Sequence, residues 1–578
     1  MDSAVHIAAG TSSCTERYKT VTGDEKLLTF RNITLQSHDT SLPLAALNFC
    51  IMVPTIRTLS RQSPPSGGQP LWSRFLVRPL ASRSPHTSAV PAAGRALTLA
   101  LTLALTLALT LSACAVGPDY RPPRPITPDT WQSLPATGVR VESPDAPTLA
   151  AWWTTLDDPT LNQLIEQALA ANKTARQAYA RVVEARARRG IANADFWPSI
   201  AASADASRTT SDSRLGGGNV TSSSNDRIYS AGLDSAWELD LFGGKRRASE
   251  AATAQLGASE ADLRDVLVTL LGDVALSYAD VRTSQTRLTF AERNLRTQSD
   301  VLDITRWRAA AGLATALDVE QANASYEQTR AAIPSLESSL AQGMNRLAVL
   351  TGQPPGAVSG LLVERKPIPV APLDFVAGVP ADVLRRRPDI RGAERRLAAQ
   401  TAEVGVATAA LYPSLSLSGS ITLQSLSAGD VLNGVRTDRT GLSLNLPIFN
   451  GGALRQNVKV QNALVEQALA SYEATVLAAY EEVENGLTAW TNEQQRHASL
   501  VEAVASARRA ADLALVQYNS GLVDFQTVLT ADRQLITLED SLAVSDGEIT
   551  ANLIRLYKAL GGGWSVFPAA TALSADPK

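Results

Sequence analysis

Cysteines, histidines and glycine-rich loops are where chemistry would first show in this 578-residue chain. Three cysteines, Cys14, Cys50 and Cys114, are too few for a disulfide framework or a cysteine-based zinc cluster. Of four histidines only His497 lies beyond residue 86, and it reads as a helix-surface residue. No HExxH, GxxxxGK[ST] or GxSxG pattern occurs, so the common metalloprotease, nucleotide-binding and serine-hydrolase signatures are missing. Gly243-Gly244-Lys245 lacks the upstream glycine and the downstream Ser/Thr of a phosphate loop. The 53 basic and 56 acidic residues nearly cancel, which argues against a nucleic-acid partner. The expectation is a protein that is not an enzyme and that holds no cofactor and no metal.

Cys114 sits in the one pattern that does carry chemistry. No acidic residue occurs between Asp39 and Asp119, and Arg57, Arg61, Arg74, Arg78, Arg83 and Arg95 fall in that gap. An uncharged Leu-Thr-Leu-Ala run, Ala96 to Leu111, follows Arg95. It is shorter than the ~20 residues a spanning helix needs and fits a signal-peptide apolar region behind a basic one. It ends in Leu111-Ser112-Ala113-Cys114, the pattern of a bacterial lipobox, in which small residues fit the peptidase and the thiol takes the lipid. Two or more acyl chains anchor stably where one is marginal. Ala115 in place of an aspartate after the lipid site fits delivery to an outer-membrane lipid surface. Residues 1–95 read as an upstream extension and basic region, disordered or absent from the mature protein, and 96–113 as apolar region and lipobox.

The remainder is a duplication. Phe242-Gly243-Gly244 recurs as Phe449-Asn450-Gly451-Gly452, Gly312-Leu313 as Gly521-Leu522, and Gly190 through Trp197-Pro198-Ser199 as Gly405 through Tyr412-Pro413-Ser414. The spacing is roughly 210 residues, and four ordered matches, counting Asn345-Arg346-Leu347 with Ile554-Arg555-Leu556, make a two-fold internal repeat. Each half reads helix, strand, loop, strand, very long helix, turn, helix. From Arg246 to Ala311 there is no proline, and Leu263, Leu267, Leu270, Val274, Tyr278 and Val281 keep helical spacing, continued by Leu288 and Leu295. That is roughly 100 Å of helix, more than a compact domain needs.

The strands alternate with period two. Leu415, Leu417, Ile421 and Leu423 face one way and Ser416, Ser418, Ser420 and Thr422 the other; Leu233, Trp237, Leu239 and Leu241 alternate with Asp234, Glu238 and Asp240. Strands are expected near 198–210, 228–242, 413–425 and 438–449, with Gly/Ser/Asn-rich extracellular loops at Arg208–Arg227 and Ser425–Arg439. Trp197, Tyr412, Phe242 and Phe449 are expected to form an interfacial aromatic girdle. Four strands cannot close a barrel, and open edges in lipid leave backbone groups unpaired, so the chain is expected to oligomerise.

Val116-Gly117-Pro118-Asp119-Tyr120-Arg121-Pro122-Pro123, Trp152-Trp153 with Asp157-Asp158-Pro159, and Arg387-Pro388-Asp389-Ile390-Arg391 resemble the TolC family of outer-membrane efflux proteins, in its lipidated NodT-type subgroup. The resemblance spans about 114–564. It implies an α+β fold in a homotrimer, each chain giving four strands to a shared twelve-stranded barrel above a coiled-coil periplasmic tunnel. It implies the Gram-negative outer membrane as location, with a periplasmic adaptor and an inner-membrane resistance-nodulation-division transporter as partners. The divisions it suggests are 114–159 lipid-anchored segment, 160–352 first repeat, 353–379 linker, 380–564 second repeat and 565–578 tail. It further implies swivels at Pro198 and Pro413 and adaptor-contact tips at Gly312, Leu313, Asp318, Gly521 and Leu522. The periplasmic gate would lie at Tyr518, Asp524, Thr527, Thr530 and Asp532. Thr527 and Thr530 stand where TolC has an aspartate pair, which leaves Asp524 and Asp532 as the nearby acids. A passive duct for drugs or other small molecules is the expected function. A duct for type I protein secretion, and a non-channel coiled-coil lipoprotein tethering envelope layers, remain the alternatives.

Overall fold

The computed structural model describes residues 115–124, 130–133, 139–140, 149–214, 221–369, 375–376 and 386–564. Cys114, the upstream extension, the apolar region and the C-terminal tail lie outside them, as do parts of the 114–159 segment and of the linker. Two halves repeat one order of elements, the first with one additional helix at its start. Helices α1 (Pro159–Ala171) and α2 (Lys173–Ala194) lead to strands β1 (Ser199–Arg214) and β2 (Thr221–Leu239), then to α3 (Gly244–Ala310) and α4 (Ala316–Leu350). Helix α5 (Pro388–Ala409) leads to β3 (Ser414–Ser425) and β4 (Val435–Asn445), then to α6 (Ala453–Asn519) and α7 (Phe525–Ala559). The helix lengths recur residue for residue: 22 for α2 and α5, 67 for α3 and α6, 35 for α4 and α7.

The four strands form one antiparallel sheet in the order β1-β2-β3-β4, with β1 and β4 as its edges. Directly paired residues share a face. Ala202/Leu233, Trp237/Leu417, Leu233/Ile421 and Leu417/Leu442 therefore lie on one apolar face, and Asp234/Ser420 with Ser416/Ser443 on the polar one. Leu233, Leu442 and Leu444 are all more than half exposed, so the apolar face has no cover among the described residues.

The strand ends differ from the sequence expectation. The first hairpin extends outward to Arg214 and restarts at Thr221, so most of the expected 208–227 loop is strand. Backbone pairing continues there because Ser, Thr and Asn keep both ladder groups whatever their side chains. At the inner end β2 stops at Leu239 rather than near 242, because Asp240 turns back to accept the Lys245 and Arg246 amides (3.2 and 3.0 Å) and caps α3. β4 stops at Asn445 rather than near 449, since Pro447 cannot donate to the ladder. In the second outer loop, Ala428–Asn433 forms a 3-10 turn, and β4 starts at Val435 instead of 438. Of the four expected girdle aromatics, Trp197, Tyr412 and Phe449 are exposed, and Phe242 stacks on Tyr412 at 4.8 Å.

The main core lies midway along the long helices. Leu267, Leu270, Val274, Tyr278, Val281 and Leu288, taken from the periodicity of α3, are all buried. Trp152 stacks on Tyr557 of α7 at 5.3 Å. Asp158 caps α1 and accepts the Tyr278 hydroxyl. That hydroxyl accepts from the fully buried Arg282, whose Nη1 holds the Glu364 carbonyl of the linker at 2.8 Å. Arg387 forks to Asp389, reaches Glu482 on α6 (2.8 Å) and caps α7 through the Ala559 carbonyl (2.6 Å). The motifs Trp152-Trp153 and Arg387-Pro388-Asp389 thus fasten the ends of the chain to its middle. No described helix is long and apolar enough to cross a membrane, which says nothing of the sheet.

Gly352 ends α4 in the left-handed region (φ +73°), and a Cβ there would stand 2.3 Å from the Ala171 carbonyl oxygen. Gly312 has nearly the same φ, with nothing within 4 Å. Gly312→Ala should therefore cost about 1 kcal/mol, and Gly352→Ala at least about 2 more for the backbone collision. Thermal unfolding of the purified variants should show the larger drop in midpoint for Gly352→Ala; equal midpoints would contradict the packing described.

Candidate functional site

The far ends of the two long hairpins meet in one cluster. At the first tip α3 closes with a paired bond set, Leu313 N–H to the Arg308 carbonyl (2.8 Å) and Gly312 N–H to that of Ala309 (3.0 Å). The second tip repeats it, Leu522 N–H to Gln517 (2.9 Å) and Gly521 N–H to Tyr518 (3.0 Å), with both glycines at φ +74°. The helices that follow are capped by different means. Thr315 and Asp318 form a reciprocal capping box at α4. At α7 Asp524 accepts the Thr527 amide (3.0 Å) and hydroxyl (2.6 Å), bonds that hold its carboxyl below the usual range. Leu313 and Leu522 project at 69% and 75% exposure.

Behind the turns, Leu302, Ala322, Ala514, Tyr518, Phe525, Val528 and Leu529 make a satellite core. Tyr518 is buried against Phe525, their ring centroids 5.5 Å apart. The Arg308 guanidinium of the other hairpin lies 4.4 Å from the Tyr518 ring centroid and gives Nη1 to the Asn519 carbonyl at 3.4 Å. This stacked cation joins the two hairpins at their ends. The Tyr518 hydroxyl has no hydrogen-bond partner although it is buried.

The structure divides the remaining gate candidates. Asp524, Thr527 and Thr530 share the exposed face of α7, where Thr530 bonds back to the Gln526 carbonyl. Asp532 turns the other way, half-buried, and accepts Gln298 of α3 at 3.1 Å. One heptad on, buried Glu539 takes Arg293 of α3 and Arg508 of α6, each at 2.6 Å. Pro198 and Pro413 sit immediately before the first residues of β1 and β3, and Trp237 fixes the first junction through the Phe196 carbonyl (2.9 Å). Among the described residues no group of three His, Cys, Asp or Glu side chains could hold a metal ion.

Residues 164–353 and 379–562 match the family model described as outer membrane efflux protein. Nodulation protein T of Rhizobium leguminosarum bv. viciae is 36% identical over 454 residues, 78% of this chain and 92% of that protein. The pyoverdine export outer membrane protein OpmQ of Pseudomonas aeruginosa is 35% identical over 443 residues, 76% and 91% of the two chains. Among solved structures, the outer-membrane channel OprN superposes with a TM-score of 0.72 at 36% identity, covering 78% of this chain and all of that one.

The chain belongs to the outer membrane efflux protein family.

Sequence reasoning about this efflux protein put Arg308 in the first tip turn without pairing it to Tyr518, and did not reach Gln298 or the Glu539 cluster. Their partners are more than 200 residues away in three of the contacts, Arg308–Asn519, Gln298–Asp532 and Arg293–Glu539. One signal was available: Asp532 and Glu539 fall a heptad apart on the stripe that begins with Phe525, where acids are out of place unless paired. His497 also proves more than a surface residue, since its Nε2 meets Asp546 of α7 at 2.7 Å.

Burial is the largest cause that pushes the Asp532 carboxyl above its ordinary value; the Gln298 bond opposes it, and Glu539 adds to it. A carboxyl whose pKa rises on folding holds its proton more tightly in the native state, so stability falls as pH climbs above the ordinary value of 3.8. Ionised Asp532 therefore costs stability at neutral pH. Asp532→Asn keeps an acceptor for Gln298 without the charge. Its melting temperature should exceed that of the parent at pH 7, with the gap closing below about pH 4; a gap independent of pH would contradict this account.

Proposed function

We propose that this efflux protein is the outer-membrane duct of a tripartite system, a homotrimer anchored by lipid at Cys114, fed by a periplasmic adaptor and an inner-membrane resistance-nodulation-division transporter. It passes drugs or other small molecules outward and catalyses nothing. The carrying observation is a four-stranded antiparallel sheet with both edges bare and an uncovered apolar face, running directly into helices of 67 residues. In hydrocarbon each unpaired backbone group costs several kcal/mol, so β4 must pair with β1 of a second copy. Three copies give twelve strands, within the known range of bacterial barrels. The polar face, with Ser203, Asp205, Asp234, Glu238 and Ser420, then lines a wet lumen. The long helices continue as the periplasmic wall.

In this reading the two tips are the adaptor contacts, through Gly312, Leu313, Asp318, Gly521 and Leu522, and Pro198 and Pro413 are the swivels. The gate opens when the two hairpins part, which breaks the Arg308–Tyr518 contact; Asp524, Thr527 and Thr530 line the exposed face beside it, with Asp532 behind. The export named for OpmQ supports small-molecule traffic over protein secretion.

Native mass spectrometry of gently extracted membranes should give three chains, each beginning at Cys114 with acyl chains attached. A stable monomer would sink the duct and favour the coiled-coil lipoprotein. Arg308→Ala should raise the single-channel conductance of the purified trimer in planar bilayers severalfold; unchanged conductance would remove Arg308 from the gate.

A further inference from the structure

The apolar face of the first hairpin ends in two arginines. Going outward from the helices, the register pairs on that face are Ala202/Leu233, Ala204/Ala231, Ala206/Tyr229 and then Arg208/Arg227. Two guanidinium groups thus stand directly opposite on neighbouring strands, an arrangement that disfavours pairing unless an anion answers it. Nothing described in the chain does so. Arg227 has no hydrogen-bond or ion-pair partner among the described residues, and Arg208 gives only its Nε, to Asn225 at 2.8 Å. Asp205, Asp226 and Asp234 belong to the opposite face by strand alternation.

The height of the pair identifies the anion. From Ile200 at the inner end to Arg208 is about 27 Å of strand, or about 20 Å of height at a barrel tilt of about 40°. The apolar band of such barrels is about 25 Å tall, so the two arginines stand within about 5 Å of its outer rim, in reach of the headgroups by snorkelling. Tyr229, one pair below, is the amphipathic aromatic expected at that boundary. We propose that Arg208 and Arg227 form a binding site for the phosphate of an anionic lipid headgroup in the outer leaflet. Each planar fork can bond two phosphate oxygens, and two forks side by side suit a phosphomonoester better than a diester, which has fewer free oxygens. This rests on the reading of the chain as a membrane-embedded duct with its helices on the inner side.

The test uses the full-length trimer in detergent, with native mass spectrometry reading retained lipid. The probes are bisphosphorylated lipid A, the same lipid with its phosphates removed, and inorganic phosphate as competitor. The parent should retain the phosphorylated lipid at least tenfold better than the dephosphorylated one, and millimolar phosphate should not displace it. The Arg208→Gln/Arg227→Gln double variant should lose that preference, as should most of it Arg227→Gln alone, which guards against misassembly of the double. Arg439→Gln, on the opposite face, should keep it. Undiminished preference in both variants would overturn the site, and displacement by inorganic phosphate would make it a free-anion site instead. Trimers without lipid would overturn this inference alone; absence of parent trimers would overturn the duct beneath it.

Discussion

A backbone amide or carbonyl in hydrocarbon has no water to turn to, and this constraint shapes the whole molecule. Each sequence hairpin, β1-β2 and β3-β4, satisfies only its inner edges. The ladder from Tyr229/Ser425 to Leu239/Leu415 joins the two hairpins and makes one sheet of the two repeats. What is left over among the described residues is one bare edge on β1 and one on β4, both long, and a face mainly of Ala, Leu and Ile with no described residue against it. An isolated chain has no internal remedy for either. The duplicated lengths of the helices follow from the same need: two hairpins in register at the sheet must reach their far tips together.

Helices of this length raise a second problem, because an apolar heptad pattern is nearly the same after a shift of seven residues. Polar ties remove the ambiguity. Glu539 takes one arginine from α3 and one from α6, Arg287 pairs with Asp540 at 2.7 Å, and Arg387 grips both Glu482 and the end of α7. Buried ion pairs add little net stability against apolar replacements, but they are intolerant of misalignment. Their value here is register. Arg282 plays the same part for the linker, holding the Glu364 carbonyl while its neighbour Gln285 holds that of Leu362 at 2.7 Å.

Element type, order and repeat were legible because they rest on local signals: the proline-free span of α3, the period-two strands, and the glycines that end the long helices. Strand ends were less so. Serine, threonine and asparagine around 208–227 look like a loop from composition, yet the ladder needs only backbone groups and runs on through them as far as Arg214 and Thr221. The early stop of β2 needed Asp240 to be seen capping the next helix, a contact that no period reveals. The tip was half legible. Its turns, caps and Tyr518 could be located, but the contact that closes it comes from Arg308 on the other hairpin, separated from Asn519 by 211 positions. Asp532 was visible as an acid near the tip; that it faces α3 and not the exposed side of Thr527 and Thr530 is a matter of helix packing alone.

The two ends of the molecule handle their polar groups in opposite ways, and this bears on the proposed gate. At the tip almost every charge is answered within the chain: Asp318 and Asp524 by caps, Glu539 by two arginines, Arg308 by a ring and a carbonyl. One group is not. The Tyr518 hydroxyl is buried without a partner, which costs about 1–3 kcal/mol, while ionised Asp532 adds its own burial cost nearby. The cluster therefore keeps a penalty that, in the proposed duct, separation of the hairpins would relieve by admitting water. Stacking of Arg308 on Tyr518 and burial of Phe525, Val528 and Leu529 pull the other way. In the proposed duct, these opposing terms would let a partner docking on the exposed Leu313 and Leu522 shift the contact, whereas the fully paired ladders of the sheet offer no such balance.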